Sequence, residues 1–151
     1  MAQQPTNQPA GGNTSRAVEI VTQFYEAYAK EDIDGMRAVM SPNIVWRIPG
    51  RHSLSGDHQG IDETIFFFQQ LTKAQFKAEV YALVGNDDYA VDYHRGWGSF
   101  GEHSLDVLWA IVWRVRDGKI VEGIDFAFDQ AAADIFYSAV YPLKPLSQRL
   151  T

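Results

Sequence analysis

The sequence predicts an α+β fold, with helices packed on one face of a curved antiparallel sheet. Three observations carry this expectation. Residues 105–129, LDVLWAIVWRVRDGKIVEGIDFAFD, are two long β-runs joined by Asp117-Gly118, and Asp-Gly between apolar runs is the strongest short-range hairpin signal. Stretches of helical period occupy the chain before residue 76, interrupted by one short strand, and only strand-like runs follow until the hairpin ends. Helices and strands segregated in this way mark the α+β class rather than alternating α/β units.

Each element has its own signal. Residues 1–14, MAQQPTNQPAGGNT, offer nothing to bury and read as a disordered tail. A helix follows from Ser15 to Lys30, with Ser15 as cap and Val18, Val21, Phe24, Tyr25 and Tyr28 at helical spacing. Its aromatics are expected in the core, with Tyr25 or Tyr28 able to reach a pocket. A short helix from Ile33 to Met40 is stopped by Ser41-Pro42-Asn43. NIVWRI, residues 43–48, is a strand with Ile44, Trp46 and Ile48 on one side, and Pro49-Gly50 ends it. Residues 51–60, RHSLSGDHQG, read as a loop able to close over a cavity mouth, with His52 and His58 solvated. A third helix runs from Ile61 to about Gln75, with Phe66 and Phe67 widening its buried face. Strands then start at Phe76 and Tyr89, with turns at 86–88 and 98–102. A last helix spans Gln130 to Val140, capped by Asp129, with Ala133, Phe136 and Tyr137 inward. Pro142 and Pro145 leave a C-terminal extension over 142–151, so 15–141 is the expected single domain.

Composition narrows the function classes. The 151 residues carry no cysteine and a formal net charge of -6, with no basic stripe. Disulfide and thiolate chemistry are thereby excluded, and a phosphate backbone is an unfavourable partner, so no nucleic acid is expected. No stretch approaches the ~20 apolar residues of a membrane span, and the N-terminus lacks the basic start and apolar middle of a signal peptide. No membrane and a cytoplasmic location are the expectations. An aromatic content of 13% suits a lined pocket.

The candidate chemistry lies on strands. In the hairpin's second arm Asp125 shares its parity with Gly123 and Ala127, opposite Ile124, Phe126 and Phe128. If the bulky face packs on the core, Asp125 points at water, which parity alone favours; if the small face lines a cavity, Asp125 is a carboxylate in a partly apolar site with a raised pKa. In YAVDYHRGWG, residues 89–98, Asp92 and His94 again share a face with small residues, Ala90 and Gly96. Two residues apart on a strand they project the same way, about 7 Å apart, so they could hold a substrate between them, bond each other, or lie on a polar outer face. Asp125 facing the same space would complete an acid/base pair that needs no cofactor. No helical ligand pair supports a metal, no serine sits in a nucleophile elbow and no glycine run fits a phosphate loop.

The runs VTQFYEAYAKEDIDGMRAVMSPNIVW, IPGRHSLSGDHQGIDETIFFF and VWRVRDGKIVEGIDFAFDQAAADIF resemble the SnoaL-like branch of the NTF2-like superfamily over about residues 15–140. The resemblance implies a cone: three N-terminal helices on a strongly curved antiparallel sheet, a short C-terminal helix, and an apolar pocket on the concave side. It reverses the parity vote, because Asp125 stands where cyclases and epoxide hydrolases of this type carry an acid/base aspartate. His94 and Asp92 fall on the strand where the epoxide hydrolases carry an arginine and a second aspartate, so residue types differ there. The three key groups of ketosteroid isomerase correspond to Ile48, Phe24 and Ile111, which cannot replace them. By this register Trp46, Trp109, Ile111 and Trp113 wall the pocket with Phe24, Tyr28, Ile48 and Phe68, implying a bulky, flat, hydrophobic ligand. Leu108, Ala110 and Val112 then lie on the convex side, where similar proteins pair their sheets, implying a homodimer. The implied function is cofactor-free acid/base catalysis on a hydrophobic small molecule, with Asp125, His94 and Asp92 as catalytic residues. A carrier with the same pocket and an epoxide hydrolase-like activity are the alternatives.

Overall fold

A computed structural model describes residues 15–143. The expected tail and all but the first two residues of the C-terminal extension lie outside them. The elements are α1 (Arg16–Ala29), α2 (Ile33–Ala38), β1 (Met40–Ile48), β2 (Gly56–Gln59), α3 (Ile61–Lys73), β3 (Lys77–Gly85), β4 (Tyr89–Phe100), β5 (His103–Arg116), β6 (Lys119–Ala127) and α4 (Gln130–Val140). The strands form one sheet in the order β2-β1-β6-β5-β4-β3. Neighbours pair antiparallel except β1 and β6, which run parallel. No described helix is long and apolar enough to cross a membrane.

Local chemistry sets the ends of these elements. Ser15, Asp32 and Asp129 each accept a hydrogen bond from a backbone N–H of the first turn of α1, α2 and α4, which satisfies donors the helix cannot. Asp117 and Gly118 have φ of 51° and 75°, the left-handed pair that a two-residue hairpin turn requires. Two expectations give way here. α2 ends at Ala38 and β1 already begins at Met40, so Ser41-Pro42-Asn43 lies within the strand rather than between elements. The presumed loop 51–60 contains β2, which pairs Val45 to Ile48 with Gln59 to Gly56 and makes the sheet's edge.

The concave face is packed by α1, α3 and α4. Phe24 of α1 stacks among Trp46, Phe68 and Trp113, with ring centroids 6.3, 5.2 and 4.9 Å away. Full burial of such apolar side chains contributes roughly 1.5–3 kcal/mol each. Phe67 and Phe68 are buried in α3, but Phe66 is 58% exposed, because neighbouring residues on a helix lie about 100° apart and three consecutive ones cannot all face in. His52 is not solvated: its side chain is 1% exposed, its ring lies 4.7 Å from that of Tyr137, and Nδ1 accepts from Leu54 N–H. His58 is half-buried and bonded to Leu54 O at 2.7 Å.

Candidate active site

β4 supplies the first half of the site. Its inward parity carries Ala90, Asp92, His94 and Gly96, all buried, while Tyr89, Val91 and Tyr93 are exposed on the other face. Asp92 Oδ1 meets His94 Nδ1 at 2.6 Å. Asp92 Oδ2 accepts from the Tyr25 hydroxyl and the Trp113 indole N–H, each at 2.7 Å. Three groups therefore surround a carboxylate that is 1% exposed, which is how a buried charge is tolerated. The arrangement also assigns the imidazole: its Nδ1–H serves Asp92, and Nε2 is left to the interior.

β6 supplies the second half, by way of an irregularity. Arg114 pairs with Glu122 but Val115 pairs with Ile120, so Val121 is an extra, bulged residue. A bulge shifts strand parity by one. Ile120 is fully buried, and after the bulge the inward residues are Gly123, Asp125 and Ala127, while Phe126 and Phe128 are 51% and 87% exposed. The bulky face of this arm packs outward, against the parity expectation, and Asp125 points in at 9% exposure.

Register places the two halves opposite each other. Asp92 and Asp125 both pair with Ile111, and His94 pairs with Trp109 beside it. One strand thus separates the groups, roughly 10 Å between backbones at the usual strand spacing, and the curved sheet tips their side chains toward a common space. Burial pushes the Asp125 carboxyl from its ordinary 3.8 up to about 7. His94 acts against that shift, Asp92 reinforces it, and the Trp46 N–H beside the carboxyl again lowers it. The Trp46 N–H itself lacks hydrogen-bond geometry to any described group.

The cavity these groups face is small, about 50 Å³, and it abuts a vestibule of about 360 Å³. Tyr25, Tyr28, Phe68, Phe76, Lys77 and Ala78 border both. Of the wall residues expected from sequence, Phe24, Tyr28, Trp46, Phe68, Trp109 and Ile111 line the cavity together with His94 and Asp125. Trp113 and Ile48 do not. Trp113 shares the inward face but is sealed beneath Phe24 and Trp46 and spends its N–H on Asp92; Ile48, at the end of β1, is spent on the core. Room expected over Gly123 is also taken, since a β-carbon there would sit 2.2 Å from the Trp46 ring. Asp92 lies behind His94 rather than on the cavity wall. Tyr137, Phe76 and Lys77 line the cavity without having been singled out for it. Tyr137 had the spacing of a core residue, and helical period alone does not reveal where a hydroxyl ends. Among the described residues no group of three or more His, Asp or Glu is placed to hold a metal.

A curved six-stranded sheet with helices packed on it is the fold of NTF2-like proteins. An NTF2-like protein of unknown function from Burkholderia pseudomallei matches it with a TM-score of 0.73 and 23% identity, over 83% of this chain and 99% of that one. Bal32a, from a soil-derived mobile gene cassette, matches with a TM-score of 0.77 and 27% identity over 81% and 96%. The chain belongs to the SnoaL-like domain family, whose pattern it matches over residues 21–123. The uncharacterized protein Rv0034 of Mycobacterium tuberculosis is 23% identical over 125 residues, covering 80% of this chain and 95% of that protein.

Proposed function

We propose that the chain is a cofactor-independent acid/base enzyme acting on a hydrophobic polyketide-, terpenoid- or steroid-like molecule by cyclisation, isomerisation or hydration/dehydration. The observation that carries the reading is the buried Asp125 carboxyl, raised to about 7 and sharing a cavity with His94. A carboxyl with that pKa holds or releases a proton with little driving force near neutral pH, as a general acid/base must. His94 Nε2 accepts a proton from the substrate or passes one on. The imidazolium so formed is stabilised by Asp92, which also keeps the ring in its orientation through the 2.6 Å bond. Asp92 is therefore a positioning residue. A positioned acid or base typically contributes ~10²–10⁴-fold in rate. The apolar body of the ligand rests in the vestibule against Tyr25, Phe68 and Trp97.

The small inner cavity favours one rival, a carrier that holds its ligand in the vestibule and does no chemistry. Mass spectrometry of ligand copurifying with the chain identifies a substrate, and Asp125→Asn is then assayed on it. Lost turnover with retained binding supports the enzyme; undiminished turnover removes the mechanism, and ligand recovered unchanged from the wild type leaves the carrier. We further propose a homodimer through the convex face. Its support is the apolar surface there, where Val91, Tyr93 and Phe126 are 42%, 45% and 51% exposed.

A further inference from the structure

Two buried side-chain atoms lack a hydrogen-bond partner among the described residues, His52 Nε2 and Trp46 Nε1. The first lies outside the site, 4.0 Å from Asp134 Oδ1. The second lies within it. Trp46 pairs with Gly123 across the β1–β6 ladder, and its six-membered ring covers that glycine, where a β-carbon would come within 2.2 Å. Asp125 follows Gly123 on the same inward face. Phe68, Trp113 and Phe24 surround the indole, with ring centroids 5.0, 5.1 and 6.3 Å away, so it has no room to swing toward a distant acceptor. Water and ligand do not reach the N–H either: the ring borders the cavity, yet Trp46 is 0% exposed. The acceptor beside it is the Asp125 carboxyl, close by but without hydrogen-bond geometry.

Buried N–H groups are almost always bonded, and a change at Asp125 alone can satisfy this one. A protonated carboxyl carries no charge and has its own O–H to place. A carboxylate offers only acceptor positions, and a hydrogen bond to it is charge-assisted, shorter and about twice as strong. We propose, resting on the acid/base reading above, that Trp46 is a positioning residue whose N–H is held in reserve for the carboxylate form of Asp125. When Asp125 gives its proton to the ligand, the negative charge left behind draws the N–H into a hydrogen bond. When the proton returns, that bond is released. The N–H thereby offsets part of the desolvation that burial imposes on the charged form, and it keeps the acid able to release its proton. Sealed from the cavity, it stabilises the charge without competing for the ligand.

Nuclear magnetic resonance of the full chain, with isotope-labelled aspartate carboxyls and indole nitrogens, tests this without a substrate. Asp125→Asn and Trp46→Phe identify the two signals by their loss. In the wild type the Trp46 N–H proton should move downfield as pH is raised through the Asp125 titration, and in Asp125→Asn it should stay still. In Trp46→Phe the Asp125 carboxyl should titrate about one pH unit higher, a roughly tenfold weaker acid, the worth of one charge-assisted hydrogen bond. A side chain that merely fills space predicts the opposite sign, because a smaller ring admits water and lessens the desolvation. Replacing Trp46 with 3-benzothienylalanine separates the two effects, since it keeps the bicyclic outline and exchanges the N–H for sulfur; the titration should again rise. A titration that this analogue leaves unchanged or lowers, or a Trp46 N–H signal indifferent to pH, overturns the role of Trp46 and leaves the acid/base reading standing. A wild-type Asp125 carboxyl that does not titrate near the expected pH of about 7 sinks both readings.

Discussion

Replacing Asp125 with Asn should make the protein more stable at neutral and alkaline pH, by an amount that depends on pH in a defined direction. Burial raises the carboxyl from 3.8 to about 7, a shift of about three units, each worth about 1.4 kcal/mol. Below about pH 4 folded and unfolded chains both carry the proton, and the shift has no effect on stability. As pH climbs through the interval, the unfolded chain releases its proton while the folded chain retains it, so stability falls. Above about pH 7 the folded state bears the whole cost, up to about 4 kcal/mol, a large part of the 5–15 kcal/mol typical of a domain. Asparagine has the same shape and no titration. Urea unfolding of both proteins, followed by tryptophan fluorescence at intervals between about pH 4 and 8, measures the difference at each pH. The advantage of the variant should grow by up to about 4 kcal/mol across that span. A difference that stays level would show that the carboxyl titrates alike in both states, and the interior placement would be refuted.

Three further outcomes follow from the same geometry. Asp92→Ala strands the Tyr25 O–H, the Trp113 N–H and the His94 Nδ1–H together, and thermal melts should show a loss of about 3 kcal/mol or more; a melt like the wild type's would mean the network is not formed. Gly123→Ala drives a methyl into the Trp46 ring, 2.2 Å from the new β-carbon. Overpacking of this kind costs about 1–3 kcal/mol, and it should also move tryptophan emission as Trp46 shifts beside Asp125. Phe126→Asp places a charge on the convex face at a residue 51% exposed. Sedimentation equilibrium should give twice the chain mass for the wild type and the chain mass for the variant, and a monomeric wild type would dispose of the dimer.

What the sequence reveals depends on whether the physics is local. Caps at Ser15, Asp32 and Asp129 and the Asp117-Gly118 turn are decided by residues within one turn of each other, and they were readable. Parity on β4 and β5 was readable too, because each runs unbroken through the residues that matter, with Asp92 and His94 landing on the buried face as spaced. Trp113 shows where parity stops being informative. It has the same inward phase as Trp109 and Ile111, yet Phe24 and Trp46 cover it, and depth below a surface is a tertiary property.

The bulge at Val121 is the decisive case, since the site depends on a residue that no period-2 count accommodates. Continuous alternation from Ile120, which is fully buried, would send Ile124 and Phe126 into the core and Asp125 out to water. The extra residue lets Ile120 stay buried beside Val115 and still turns Gly123 and Asp125 inward. Burying a carboxyl in place of Phe126 costs stability twice, through desolvation of the acid and exposure of the phenyl ring. A fold selected for stability alone would lose the bulge. Its presence next to a carboxyl raised to about 7 is the pattern expected where strand geometry re-aims a side chain for chemistry. The exposed Phe126 face produced by the same shift is the face assigned above to the dimer. Deleting Val121 should therefore spare both: it leaves Ile120, Gly123 and Asp125 on one face of an unbroken alternation and Phe126 on the other, so catalysis and dimerisation should persist. Loss of either, in assays of turnover and of sedimentation, would refute the claim that the bulge serves to set the faces on which Asp125 and Phe126 fall.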